Sequence, residues 1–171
     1  GTRLLLQQSV KHRMATLAIA MVDTGAGLAE VTSCGHPPVL VISPSGEVEE
    51  LLLSSLPLGT RLPVEPAWRR RAFPPGSTLL LYSDGLIEAA NAAGTPLGSE
   101  GLRQIVLANA RRPAQELVTA ILEGLATHLD GVPLTDDLTV LVVEHTAVKG
   151  PVESWESRVE SVPHPPDEDP V

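Results

Sequence analysis

The chain has 171 residues and a mass of 18.0 kDa, with 12 Lys+Arg against 21 Asp+Glu, a formal net charge of −9 and a pI near 4.9. That balance argues against non-specific nucleic-acid binding, which relies on cationic side chains neutralising phosphates. Four aromatic residues, Trp68, Phe73, Tyr82 and Trp155, offer no stacking platform for single strands, so a core must come from Leu, Val, Ile and Ala.

The length suits one domain able to bury a core. Charge and proline divide the chain at about residue 148. Residues 149–171 hold 6 acidic and 2 basic residues and five of the 16 prolines, and read as an acidic, Pro-rich disordered tail anchored only by Trp155. The chain opens on Gly1 in what reads as mid-helix, so it is expected to be a piece of a longer protein.

Arg3–His12 carries Leu4, Leu5, Leu6 and Val10, as at the end of an amphipathic helix. Ala15–Val22 and Leu28–Ser33, joined by Asp23-Thr-Gly-Ala-Gly27, read as a hairpin. Val39–Ile42 and Val48–Leu52, joined by Ser43-Pro-Ser-Gly46, read as a second. Gly59–Pro66 is irregular. Trp68–Phe73 and Thr78–Tyr82 are predicted strands split by Pro74-Pro75-Gly76.

The second half is helical. Ser99 is the expected N-cap of a helix bearing Leu102, Ile105 and Val106. Pro113 suits the first turn of a longer helix with Leu117, Val118, Ile121, Leu122, Leu125 and Leu129 at helical spacing. Leu138–Val143 is predicted as a buried central strand. Hairpins, then helices, then a closing strand make an α+β fold with mainly antiparallel sheets and helices on a sheet face. No apolar run approaches the length of a membrane span.

Three places could carry chemistry. Asp84 ends the apolar strand Leu79–Tyr82, and Gly85 after it permits a sharp turn. The carboxylate could hold a hard cation there or cap a helix starting at Leu86. Asp136 and Asp137 precede the last strand. Adjacent residues entering a strand face opposite sides, so one carboxylate could face a site while the other caps a turn. His36, in Gly35-His-Pro-Pro38, could be a metal ligand, a general acid/base or a structural hydrogen-bonding residue. His12, His128 and His145 read as surface. The single cysteine, Cys34, excludes an internal disulfide and a Cys-rich zinc site and reads as a buried thiol, consistent with a reducing, cytoplasmic setting. Arg69-Arg-Arg71 reads as a charged strand edge or an anion contact. Walker-type and Gly-x-Ser-x-Gly motifs are missing.

The ordered series Thr16-Leu-Ala-Ile19, Cys34-Gly-His-Pro-Pro38, Leu56-Pro-Leu-Gly59, Pro75-Gly-Ser-Thr-Leu-Leu-Leu-Tyr-Ser-Asp-Gly-Leu-Ile-Glu88, Ala89-Ala-Asn91, Leu97-Gly98 and Asp136-Asp-Leu-Thr-Val140 resembles the SpoIIE/RsbU-type serine/threonine phosphatases over about residues 4–146. These are the bacterial branch of the metal-dependent type 2C superfamily. The resemblance implies an α-β-β-α sandwich, two Mn²⁺ or Mg²⁺ ions, and hydrolysis of phosphoserine or phosphothreonine by metal-held water. It places Asp84 and Asp136 among the metal ligands, with Gly85, Asp137 and His36 in support. The implied substrate is a phosphorylated regulatory protein, such as an anti-sigma-factor antagonist; a homodimer is compatible with it. The family's Gly-Asp-aromatic and Asp-x-x-Gly-His-Gly motifs, which carry further ligands, do not occur in this chain, so at most half of the metal set is expected here. A fragment inactive on its own, or a non-catalytic regulatory module of the same fold, are the two readings this leaves.

Overall fold

A computed structural model describes residues 14–147 apart from 54, 61 and 63–65. The predicted helix at Arg3–His12 and the acidic tail at 149–171 lie outside the described residues. Seven strands and three helices follow in the order β1 (Leu17–Asp23), β2 (Leu28–Cys34), β3 (Val39–Ile42), β4 (Val48–Leu51), β5 (Arg69–Ala72), β6 (Thr78–Tyr82), α1 (Asp84–Ile87), α2 (Gly98–Asn109), α3 (Ala114–Leu129) and β7 (Val140–Glu144).

The strands form two sheets, ordered β1-β2-β5 and β4-β3-β6-β7, and every pairing is antiparallel. The period of two sorts the side chains between layers. On β3, Val39 and Val41 face the space between the sheets, where they meet Ala29, Val31, Leu51, Leu53, Phe73 and Leu79. Leu40 and Ile42 face the other way and join Leu80, Tyr82, Leu86, Leu102, Val106, Leu117, Ile121, Leu125 and Leu129 under α2 and α3. All four β3 residues are therefore buried, which explains the unbroken apolar run Val-Leu-Val-Ile. Burial of Tyr82 pushes its phenol up to about 12, so the hydroxyl keeps its proton. The α+β class is as expected, and the described residues supply three layers: sheet, sheet and helices.

Helix α3 follows the predicted spacing, with Leu117, Ile121, Leu125 and Leu129 buried. It crosses α2 closely because residue 124 is glycine: a Cβ there would stand 2.5 Å from Ile105 Cδ1.

Several details differ from the sequence reading. Helix α2 starts at Gly98 with Leu97 at its N-cap, so Ser99 lies inside the first turn and caps nothing. Pro113 is itself the N-cap of α3, one position earlier than expected. Among the described residues β7 pairs only with β6, which makes it an edge rather than a central strand, and Leu141 is 53% exposed. An unbroken apolar run cannot distinguish a strand flanked on both sides from one covered on its faces alone.

His145 is not a surface residue. Its backbone continues the ladder beyond β7, donating to Ser77 O at 2.9 Å, and its Nδ1–H donates to the buried Phe73 carbonyl at 2.7 Å. The ring stacks on Phe73 with centroids 6.0 Å apart. His128, also expected at the surface, is half-buried and its Nε2–H donates to Thr95 O. His12 lies outside the described residues. Cys34 is buried, as expected.

The arginine stripe is a charged edge. Arg70 pairs with Glu30 directly across β2, and Arg71 spans the two sheets to hold Glu49 of β4 through Nε and Nη2. Arg71's hydrogen bonds hold the Glu49 carboxyl below its ordinary range. Each pair is partly exposed, so each contributes at most about 1 kcal/mol. The larger energies lie between the sheets. Phe73 is fully buried there, and Phe73→Ala is expected to cost about 3–5 kcal/mol in urea unfolding.

Candidate metal centre

The candidate residues converge at one end of the four-stranded sheet. β6 lies between β3 and β7, and its C-terminal end carries Ser83 and Asp84. On the β3 side the antiparallel register, Leu40↔Leu80 and Ile42↔Thr78, brings the segment before β3, which holds His36, to the end of β6 that leads into Asp84. On the β7 side Tyr82↔Val140 continues as a hydrogen bond from Ser83 N to Thr139 O at 3.0 Å. The loop 136–139 thus arrives beside Asp84 from the opposite flank.

Ser83 latches that loop. Its Oγ accepts from Thr139 N at 2.9 Å and donates to Asp137 O at 3.2 Å. This side chain is committed to the loop, so α1 has no side-chain cap even though Ser83 is its N-cap residue. The reading of Asp84 as cap of a helix from Leu86 does not hold, because Asp84 is the first residue of α1 itself. Gly85 makes the approach possible. A Cβ at that position would collide with the carbonyl group of Asp137. Glycine here is required by closeness of backbone to backbone, and its φ lies outside the left-handed region.

Asp84, Asp136 and Asp137 are all exposed. One oxygen of Asp84 accepts from Gly85 N at 3.1 Å, and one of Asp136 accepts from Asp137 N at 2.8 Å. The second oxygen of each has no hydrogen-bond partner among the described residues. Asp137 turns its carbonyl, not its carboxylate, to the latch.

His36 is held by its backbone: Ser33, itself buried, accepts from His36 N and donates to His36 O, both at 3.3 Å. Burial pulls the imidazole below its ordinary value of 6.5, and the Asp84 charge opposes this weakly. The ring is therefore neutral at pH 7.

Two exposed carboxylates, one just past the end of β6 and one in the loop before β7, are oxygen donors of the kind that hard cations take. Their number falls short of a closed centre: among the described residues no three His, Cys, Asp or Glu side chains gather where one ion could sit. The two carboxylates match such a centre in chemistry and are too few among the described residues to close one.

The antiparallel sandwich with helices on one sheet is a fold the chain shares with solved PP2C phosphatase domains. The chain belongs to the SpoIIE family: the family model "Stage II sporulation protein E (SpoIIE)" matches residues 2–146. Protein IcfG of Synechocystis sp. (strain ATCC 27184 / PCC 6803 / Kazusa) is 27% identical over 130 residues, 75% of this chain and 20% of that protein. Among solved structures, the SiaA-PP2C domain of Pseudomonas aeruginosa matches with a TM-score of 0.66 at 23% identity, covering 74% of this chain and 50% of that one. The SpoIIE phosphatase domain from Bacillus subtilis (Mn presoaked) gives 0.62 at 16% identity, covering 80% and 59%. The RsbU and RsbW domains of Rv1364c from Mycobacterium tuberculosis give 0.66 at 22%, covering 84% and 42%. The chain therefore spans about one fifth of the curated relative and roughly half of each solved neighbour.

Two outcomes follow from this geometry. Gly85→Ala is expected to push the 136–138 backbone away from Asp84. Backbone amide shifts of Asp136, Asp137 and Thr139 would move while those of α3 stay in place; unchanged shifts across 136–139 would contradict the contact. His36, lowered on folding, stabilises the fold above its unfolded value of 6.5 and loses that contribution as pH falls through its folded value. Wild type should therefore lose more stability than His36→Gln between pH 7.5 and 5, as read by denaturant midpoints.

Proposed function

We propose that this chain is the metal-proximal part of a SpoIIE-type protein serine/threonine phosphatase, with Asp84 and Asp136 as ligands to Mn²⁺ or Mg²⁺. The observation that carries this is the Ser83–Gly85 latch, which fastens the Asp136 loop beside the Asp84 strand end. Divalent ions held there would polarise a phosphoryl oxygen and lower the pKa of bound water. The chain's own contribution is to fix one carboxylate just past the end of β6 and the other in the loop that the latch holds beside it. Each keeps one oxygen on a backbone N–H and leaves the other free of protein donors. Gly85 and the Asp137 carbonyl set the spacing, and neutral His36 borders the site without adding charge.

The proposed substrate is a phosphoserine or phosphothreonine on a regulatory protein, of the anti-sigma-factor antagonist type. The solved neighbour from Mycobacterium tuberculosis pairs RsbU and RsbW domains in one chain, which supports a place in such a system. A cytoplasmic location and a homodimeric state belong to the same proposal. No helix among the described residues is long and apolar enough to cross a membrane. A second reading, a non-catalytic regulatory module of this fold, is favoured by the short donor set.

Mn²⁺-dependent hydrolysis of a phosphoserine peptide by the complete enzyme separates the two. Asp84→Ala and Asp136→Ala are each expected to lower the rate by at least about 100-fold, the scale for losing a group that stabilises transition-state charge. Undiminished rates in both variants would remove the metal assignment.

A further inference from the structure

β7 ends at Glu144, and His145 N carries the ladder one step further to Ser77 O. The chain therefore leaves the four-stranded sheet at the end opposite Asp84 and Asp136. Three contacts tie that corner together. Glu144 Oε2 accepts from Ala114 N at 2.9 Å, at the start of α3. Arg111 Nε and Nη2 donate to Ser45 O at 3.1 and 2.8 Å. Gly76 N donates to His145 O at 2.7 Å. The α2–α3 turn thus reaches from the β3–β4 turn to the last residues of β7.

That turn carries Arg111 and Arg112, both exposed, and among the described residues neither makes an ion pair. The arginines of β5 differ, since Arg70 and Arg71 are held by Glu30 and Glu49. Between the two turns lies a cleft of about 360 Å³ lined by Ser45, Gly46, Leu107, Asn109, Arg111 and Arg112. Arg111 lies against Gly46, where a Cβ would stand 3.2 Å from its Nε. Leu107 is 41% exposed. A chain of net charge −9 thus keeps two adjacent guanidinium groups and an exposed leucine in one cleft.

The complementary chemistry lies in the same chain. Residues 149–171 carry Glu153, Glu156, Glu160, Asp167, Glu168 and Asp169 against Lys149 and Arg158, with Trp155 as their one aromatic residue. Glu153 stands six residues past Ala147 and Trp155 eight, a reach of up to about 20 and 29 Å. Arg112 and Arg111 stand only two and three residues before Ala114, which Glu144 holds. We infer that the acidic segment 149–171 docks back into this cleft, with Glu153 and Glu156 on Arg111 and Arg112 and Trp155 over Leu107 and the guanidinium planes. Carboxylates on guanidinium groups and an aromatic face on a cation are both favourable pairings. Single exposed pairs contribute little, but a tethered segment meets its site at high effective concentration, so several together suffice. The cleft lies at the far end of the sheet from Asp84, so the inference is independent of the metal reading.

The test uses the 171-residue chain, labelled with ¹⁵N and carrying a nitroxide attached through Ser157→Cys; Cys34 is buried and stays unmodified. The amides of Gly46, Ala108 and Arg111 are expected to lose intensity, while those of Gly85 and Asp136 stay sharp. Arg112→Glu changes an exposed position that makes no ion pair among the described residues, so it keeps the fold, and it should restore the lost intensity. Raising NaCl to about 1 M, where the screening length is about 3 Å, should do the same. Losses centred on Arg69 and Arg70, losses spread evenly over the surface, or losses untouched by Arg112→Glu would overturn the inference. Mixing spin-labelled ¹⁴N chain with unlabelled ¹⁵N chain decides the occupant: losses at Gly46 and Arg111 in that mixture would overturn docking within one chain and give the cleft to a second copy.

Discussion

The contact between Gly85 and the Asp137 carbonyl is the constraint on which the rest of the site depends. It joins two stretches more than fifty residues apart, and it exists only because no Cβ stands between them. Ser83 makes the contact specific by giving one hydroxyl two backbone partners in the same loop. A hydroxyl used in this way cannot also cap α1, so the short helix starts without side-chain help and depends on burial of Leu86 beneath it. The two aspartates then take their places as consequences: one is the first residue after the latch, the other the residue before the loop carbonyl.

The sheets keep that contact in register. β6 is held on one flank by β3 and on the other by β7, and its inward residues alternate between the two cores. A one-residue slip of β7 would exchange Val142 and Val143 between those cores and carry Asp136 away from Asp84. The apolar alternation that forms the fold therefore also sets the spacing of the carboxylates. Rigidity at the strand ends matters for any centre that must present charged oxygens without rearrangement.

Much of this was legible in the residues. The two hairpins, the helix with Leu117 through Leu129, and an aspartate just after β6 and another before β7 follow from period and turn chemistry. The rest is hidden for physical reasons. A histidine after a strand gives no sign that the ladder runs on and turns its ring onto Phe73, as at His145. In β7, burial by faces and burial by neighbours leave the same apolar run. At Ser99, a capping residue type says nothing about where the preceding Leu97 backbone turns helical. Of the site, residue identities were readable but not the latch: Ser83 has no local pattern marking it as the partner of Thr139. The resemblance to a family supplied the chemistry, and the missing motifs already indicated a short donor set.

The most direct measurement is Mn²⁺ paramagnetic broadening of backbone amide resonances in the chain. If Asp84 and Asp136 present their free oxygens to one region, substoichiometric Mn²⁺ will bleach Gly85, Asp136 and Asp137 first and leave Glu49 and Glu50 on the opposite edge sharp. Broadening that is uniform over the acidic residues, or strongest along β4, would contradict a metal centre at the β6–β7 end.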